Sequence, residues 1–322
     1  MTTMLRLEKL EGVGNVQMTR AEHPVPSAEE VQIKVNRSLI SRGSELFRRY
    51  VMPQAVPPSM MGYSTAGRIT AVGTQVTEVQ CGERANISGP HAQYVAGTYG
   101  YIPESMDYET ATFIGLSTSA VMWARTTPIE PGDDVVVLGQ GIVGNLYMQA
   151  VRERQPGRVI TVDATPLRCR ISNECGADHV IDVSSTDSVQ AVKDLTAGKG
   201  ADVVVECVGG TAGIKSFEQA QQMVKSDGVL HLIALYQGAK KPGDGLLSLD
   251  SGLMMSKLLV GGIRVPEPRA KHREDAIQML SADAIRVAPL VTHRMSWEQT
   301  PEAYHFLYEH PEEAMAVILE WE

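Results

Sequence analysis

One hexapeptide constrains this chain more than any other feature: Gly139-Gln140-Gly141-Ile142-Val143-Gly144. It follows the uninterrupted apolar run Val135–Leu138 and leads into a helical stretch, Asn145–Arg154. A GxGxxG triplet alone is weak, because glycines cluster by chance. Strand, glycine loop and helix in that order make the context a dinucleotide site requires. Gly139 then permits the tight turn, Gly141 lets backbone approach a pyrophosphate, and Gly144 lets helix and strand pack closely. The free N–H groups of the first helical turn face the phosphates. The next strand, Val159–Val162, ends in Asp163, where a carboxylate accepts from ribose hydroxyls and repels a 2′-phosphate. NAD is therefore expected over NADP. Arg168 is close enough in sequence either to serve a 2′-phosphate or to stack on the adenine.

Further apolar runs follow at Val159–Val162, His179–Ile181, Asp202–Glu206, Val229–Ile233 and Leu258–Ile263, with helical segments between them. Continuous apolar strands alternating with helices imply a doubly wound parallel sheet covered on both faces. The chain before Thr118 has another character. Val31, Ile33 and Val35 alternate with polar residues, and Gly67 to Ile87 carries short β-branched runs split by glycines, the punctuation of a compact barrel. After Pro266 come a helix over Arg273–Leu280 and a closing piece at Ala316–Leu319. The expected division is a nucleotide domain over residues 118–265 and a second domain made of 1–117 and 266–322.

A chain of 322 residues can bury two cores. Its formal net charge of -9 repels phosphate backbones and argues against nucleic acid as a partner. No run reaches the ~18 apolar residues of a membrane span. The opening MTTMLRLEKL has charges inside its apolar stretch, unlike a signal peptide, so a cytoplasmic location is expected. Cys81, Cys169, Cys175 and Cys207 show no CxxC spacing, which argues against disulfides and a zinc cluster.

Several motifs now stand in a specific order. Gly67-x5-Gly73 precedes Gly82-Glu83-Arg84, Pro131-Gly132-Asp133 leads into the fingerprint, and the C-terminal segment returns. In that order, over nearly its full length, the chain resembles the medium-chain dehydrogenase/reductase (alcohol dehydrogenase-like) family. The resemblance implies a GroES-like β-barrel catalytic domain beside a Rossmann domain. It also implies Thr118 beside the nicotinamide, Cys207-Val208-Gly209 passing the adenine ribose, and Ile233, Ala234 and Leu235 meeting the nicotinamide amide.

The metal positions depart from the family. Its Cys-Gly-(Ser/Thr)-Asp run becomes Arg42-Gly43-Ser44-Glu45, its Gly-His-Glu run becomes Gly62-Tyr63-Ser64, and its later Cys becomes Ile114. The structural zinc lobe is missing between Arg84 and Ala92. A zinc-free enzyme is expected, similar over Ser41–Glu45 and Gly62–Tyr63 to a branch near bacteriochlorophyllide dehydrogenase, which oxidises a secondary alcohol with NAD. Without a metal, protein donors must stabilise the reacting oxygen. Four side chains align there. Ser44 matches a relay hydroxyl, or is a turn residue; the relay histidine falls at Phe47. Arg42 would donate to the oxyanion, bind an acidic group on the substrate, or form a surface ion pair. Tyr63 is a general acid or a filler of the empty metal pocket. His91 lies in the loop replacing the zinc lobe, beside the cleft, as a proton exchanger or a lone surface histidine.

The leading expectation is NAD-dependent interconversion of a small secondary alcohol and ketone by a homodimer paired along the apolar run Leu258–Val265. The alternatives are C=C reduction of the enoyl or quinone type, which Asp163 disfavours, and a non-catalytic nucleotide-binding homologue.

Overall fold

The computed structural model describes residues 3–234, 246–261 and 268–322. The chain forms two units, one of Met1–Gly115 with Val291–Glu322, the other of Leu116–Leu290.

The first unit is built on a seven-stranded sheet. Strand Val31–Ile40 pairs antiparallel with Thr65–Val72, Tyr94–Gly97 and Ala316–Glu320. The alternation read at Val31, Ile33 and Val35 is the buried face of that strand, all three packed in one core with Ile69, Ile87 and Leu319. Arg84–Ile87 and Tyr99–Tyr101 extend one side, and Val291–Ser296 runs parallel to Ala316–Glu320 on the other. Between strands, Arg42–Tyr50 forms an under-wound π-helix. Such wide turns are rare and recur at functional sites.

The second unit is a six-stranded parallel sheet. In space its strands run His179–Asp182, Arg158–Asp163, Asp134–Leu138, Ala201–Glu206, Val224–Leu232 and Leu258–Gly261. The order reverses between Asp134–Leu138 and Ala201–Glu206, the crevice where doubly wound sheets bind ligands. Val136, Leu138, Ile160, Val204 and Leu230 pack with Phe217 and Met223 on one face.

Two boundaries differ from the sequence expectation. The helix after Pro266 starts at Arg269, behind Pro268, rather than at Arg273. The return to the first unit comes at Val291 rather than 266. The segment before it is tied to the nucleotide unit: Arg125 pairs with Asp275, and the Gln149 side chain bonds both the N–H and the carbonyl of Arg286. Composition carries no trace of those pairings. Of the apolar run Leu258–Val265, the part beyond Gly261 lies outside the described residues.

Candidate active site

The first unit gathers a buried polar cluster around Glu45, a residue the motif reading passed over. Its side chain and that of His91 are fully buried. Glu45 Oε1 accepts from the Ser41 backbone N–H at 2.8 Å. Oε2 accepts from His91 Nε2 at 3.0 Å and from the Tyr304 hydroxyl. An isolated buried carboxylate costs several kcal/mol; three donors offset that cost here. The Trp321 indole N–H can only donate, and it reaches Ser38 Oγ at 2.9 Å. Ser38 Oγ lies 2.8 Å from His91 Nδ1. With His91 neutral, donors therefore run Trp321 to Ser38 to His91 to Glu45. Burial, then the charge of Glu45, pushes the Tyr304 phenol well above its usual range, so it stays a donor.

Tyr63 adjoins this cluster. The Ser41 and Ser44 side chains are among the groups that act on its hydroxyl. Burial first, and the Glu45 charge second, raise its pKa, while the two serines and Arg49 pull the other way. The net direction is up, so Tyr63 is a neutral phenol and a donor at neutral pH. Gly62 explains why the step before it is glycine. Its φ is +113°, and a Cβ there would stand 2.7 Å from the His91 nitrogen. That clearance lets the His91 N–H reach the Met61 carbonyl at 2.8 Å, seating the His91 loop against Tyr63's own turn.

The four expected catalytic residues are therefore placed unequally. Ser44 is among the groups acting on the Tyr63 hydroxyl. His91 is not beside an open cleft but fully buried, because the loop replacing the zinc lobe folds inward over Met61 and Gly62. It reaches the site through Glu45. Arg42 lies over the Phe47 ring at 5.1 Å, and its Nε reaches the Leu307 carbonyl at 3.4 Å. The cation whose charge acts on Tyr63 is Arg49. Glu45 had one sequence signal, as the acid closing the Ser41–Glu45 run. Ser38, Tyr304 and Trp321 had none.

The second unit carries the nucleotide half. Gly139 sits at φ +85°, in the left-handed region. A Cβ on Gly144 would stand 1.8 Å from the Gly139 carbonyl, so helix and turn touch through backbone. Gly141 caps the helix Ile142–Ala150, and a Cβ there would meet no protein atom within 4 Å. Open space over a helix start suits a pyrophosphate. Asp163 Oδ2 accepts from the Gln140 N–H at 2.7 Å, and Oδ1 from the Thr165 N–H at 2.8 Å. An Arg168 nitrogen lies 3.9 Å from Oδ2.

Beyond the crevice, the Cys207 N–H donates to Leu138 O at 2.8 Å, joining adjacent strand ends. Glu206 Oε1 takes the Val208 N–H at 2.9 Å, and its carbonyl takes the N–H groups of Ile233 and Ala234. Gly209 continues that turn, while Ile142 and Val143 begin the helix after the glycine loop. Burial pushes the Cys207 thiol well up, so it is a packed residue rather than a nucleophile. Thr118 is buried within the helix Ile114–Thr126. Leu235 lies outside the described residues.

One unit thus carries a glycine loop at the switch point of a parallel sheet, and the other a sheet with a buried polar cluster. Residues 143–282 match the family described as zinc-binding dehydrogenase. Sorbitol dehydrogenase of Bacillus subtilis is 25% identical, covering 92% of each chain. An Escherichia coli oxidoreductase of unknown specificity superposes with a TM-score of 0.87 at 19% identity, covering 99% of each chain. Two further structures fit over their full lengths. They are a Sinorhizobium meliloti dehydrogenase bound to NADP (TM-score 0.83, 20% identity) and an Escherichia coli alcohol dehydrogenase with NADH (0.82, 19%). Over nearly its whole length the chain is similar to dehydrogenases of the zinc type, and the family model itself covers residues 143–282.

The family description raises zinc, and the aligned residues do not fit it. The Arg42 guanidinium has no lone pair to give, Tyr63 resists ionisation, and Ile114 is a buried hydrocarbon. His91 and Glu45 already hold each other, Ser38, Tyr304 and Ser41. Among the described residues, the His, Cys, Asp and Glu side chains that come close enough for an ion are His310, Glu312 and Glu313. They lie past the helix Thr300–Glu309, half-buried or exposed.

Proposed function

We infer that the protein is a zinc-independent, NAD(H)-dependent oxidoreductase acting on a secondary alcohol or its ketone. The observation that carries this reading is Tyr63, a phenol that burial and the Glu45 charge keep neutral, next to a Met61–Gly62 turn that packs against the buried His91–Glu45 pair. NAD, which the Gly139–Gly144 loop would hold, would supply the acceptor for a hydride from the carbinol carbon. In the reducing direction Tyr63 donates a hydrogen bond to the carbonyl oxygen and passes its proton as alkoxide charge develops. In the oxidising direction the phenol has to give up its own proton before it can take one from the alcohol, so a raised pKa suits Tyr63 to the reducing direction. Asp163 supports NAD over NADP, because a 2′-phosphate would meet a carboxylate tied in place by two backbone N–H groups.

Arg168 supports the opposite preference, since its guanidinium lies within reach of the same position. NADPH-dependent C=C reduction is therefore the second reading. A non-catalytic homologue has no use for a polar cluster that costs burial energy.

The reading extends to a cytoplasmic homodimer. Four free cysteines suit a reducing compartment, and among the described residues no helix is long and apolar enough to cross a membrane. Leu258 and Leu259, on the last strand of the parallel sheet, are exposed and offer an edge for pairing.

The test is purified protein, with metal content measured, assayed for NADH and NADPH oxidation against ketones, aldehydes, enones and quinones. Zinc-free protein reducing ketones with NADH is expected. One tightly bound zinc per chain, or turnover confined to enones with NADPH, overturns the reading.

A further inference from the structure

Two acids, Asp163 and Glu206, end the strands on either side of the one that leads into the glycine loop. We propose that Glu206 is a positioning residue for the nucleotide. Its carboxylate seats the Cys207–Val208 turn in a notch of the glycine loop, so the loop stands preset before a dinucleotide arrives. The inference rests on the reading of that loop as the nucleotide site.

In the parallel sheet Glu206 stands level with Leu138, the last strand residue before the loop, and Val162 pairs with Leu138 from the other side. Asp163 reaches the loop through the Gln140 N–H at 2.7 Å. Glu206 reaches it through Val208. Its Oε1 accepts the Val208 N–H at 2.9 Å, and Val208 lies directly on the loop. A Cβ on Gly139 would stand 2.8 Å from Val208 Cγ2 and 3.0 Å from the Val208 nitrogen. A Cβ on Gly144 would stand 3.3 Å from Cys207 Cβ. Gly139 and Gly144 thus leave a notch that the Cys207–Val208 turn fills. The Cys207 N–H, bonded to the Leu138 carbonyl at 2.8 Å, sets the first residue of that turn, and the Glu206 carboxylate sets the second. The Glu206 carbonyl also accepts from the Ile233 and Ala234 N–H groups, which orders the next strand end around the same crevice.

The chemistry of the position agrees. Val203, Val204 and Val205 just before it are buried hydrocarbon, as a strand covered on both faces requires. Glu206 is equally buried. Sealing a carboxylate from water is costly, and an apolar side chain there would avoid that cost. The hydrogen bond to Val208 offsets part of it. The acid stands where the strand order reverses, the place where doubly wound sheets bind ligands. A loop already held in its binding shape loses less freedom when its ligand arrives.

Amide exchange and cofactor titration test this together. Glu206→Leu removes the acceptor. In cofactor-free protein, peptides covering residues 139–145 and 207–209 should then exchange about tenfold faster, while Val203–Val205 keep the parent rate. NADH, titrated by fluorescence, should bind about tenfold more weakly, the scale of one lost hydrogen bond to a charged group. Glu206→Gln keeps an oxygen for the Val208 N–H and should bind within about threefold of the parent. Parent-like exchange or parent-like affinity in Glu206→Leu overturns the proposal. So does faster exchange spread evenly over the whole sheet, the mark of a structural role alone, or a Glu206→Gln protein as weak as Glu206→Leu. If Glu206→Leu loses its fold by circular dichroism, Glu206→Asp carries the test. Its shorter side chain draws the oxygen away from Val208, and the same local loosening is expected; unchanged exchange overturns the proposal. A parent protein that binds neither NADH nor NADPH sinks the nucleotide reading itself. A parent that binds NADH no better than Glu206→Leu sinks this proposal alone.

Discussion

The backbone N–H of Gln140 donates to the Asp163 carboxylate at 2.7 Å, tying the glycine loop to the end of the neighbouring strand. One residue thus braces the turn, and in the proposed NAD complex it also meets the ribose. Asp163→Ala should weaken NADH binding and narrow a preference over NADPH that is at least tenfold, about 1.4 kcal/mol, in the parent. Fluorescence titration with both reduced cofactors measures each. A parent preference for NADPH would assign Arg168 to the 2′-phosphate and sink the NAD assignment.

The two glycines at the helix start should fail in different ways. Gly141→Val meets no protein atom and should fold normally while losing NADH binding. Gly144→Ala drives a Cβ into the Gly139 carbonyl and should lower the melting temperature even without cofactor. A Gly141→Val protein that still binds NADH would remove the pyrophosphate from this loop.

At the sheet unit, Tyr63→Phe should reduce kcat by ~10²–10³, or ~2.7–4 kcal/mol, the loss typical of one oxyanion donor. NADH affinity should barely change. Ser44→Ala should lower kcat less, because the Tyr63 phenol itself remains in place. Arg42→Met should be mild, given that its charge is spent over Phe47 and at Leu307. Steady-state kinetics on the best ketone from the panel decide the ranking. A collapse in Arg42→Met with an active Tyr63→Phe would reverse the assignments.

His231 makes a prediction about acid stability. It is fully buried on the strand Val224–Leu232, its Nδ1 is 2.7 Å from Thr127 Oγ1, and burial lowers its pKa to about 4. The unfolded chain takes up that proton near pH 6.5. Stability from the neutral ring is thus complete above pH 6.5 and is lost as pH falls toward 4, amounting to about 3 kcal/mol. His231→Gln should flatten the fall in melting temperature between pH 6.5 and pH 4.5. An identical slope in parent and variant would place the acid lability elsewhere.

The exposed edge at Leu258 and Leu259 should pair two copies. Light scattering at micromolar concentration should report a dimer, and Leu259→Lys should yield monomers that still bind NADH. A monomeric parent protein counts against pairing by this edge.

The nucleotide half was legible because its signals are local. Glycine spacing, the apolar run before it and the acid ending the next strand all lie within one βαβ stretch, and their backbone roles do not depend on distant partners. The sheet half was legible only in part. Ser44 and Tyr63 could be named from where a metal-binding pattern had changed. The residues of the buried cluster, Ser38, Glu45, His91, Tyr304 and Trp321, come from segments far apart in the chain, and no spacing rule links them. His91 was misplaced for the same reason. Its burial follows from the fit of its loop over Gly62, a contact across chain segments that composition does not encode.

Trp321 and Tyr304 both donate into the cluster around residues near the start of the chain. During synthesis, the glycine loop and its sheet leave the ribosome first, while Glu45 waits without its phenol donor and Ser38 without its indole. A nascent chain therefore completes its glycine loop and parallel sheet before the cluster around Glu45 has all its donors. Clipping after Glu320 in a mature molecule would take the indole from Ser38 while Tyr304 kept its bond to Glu45.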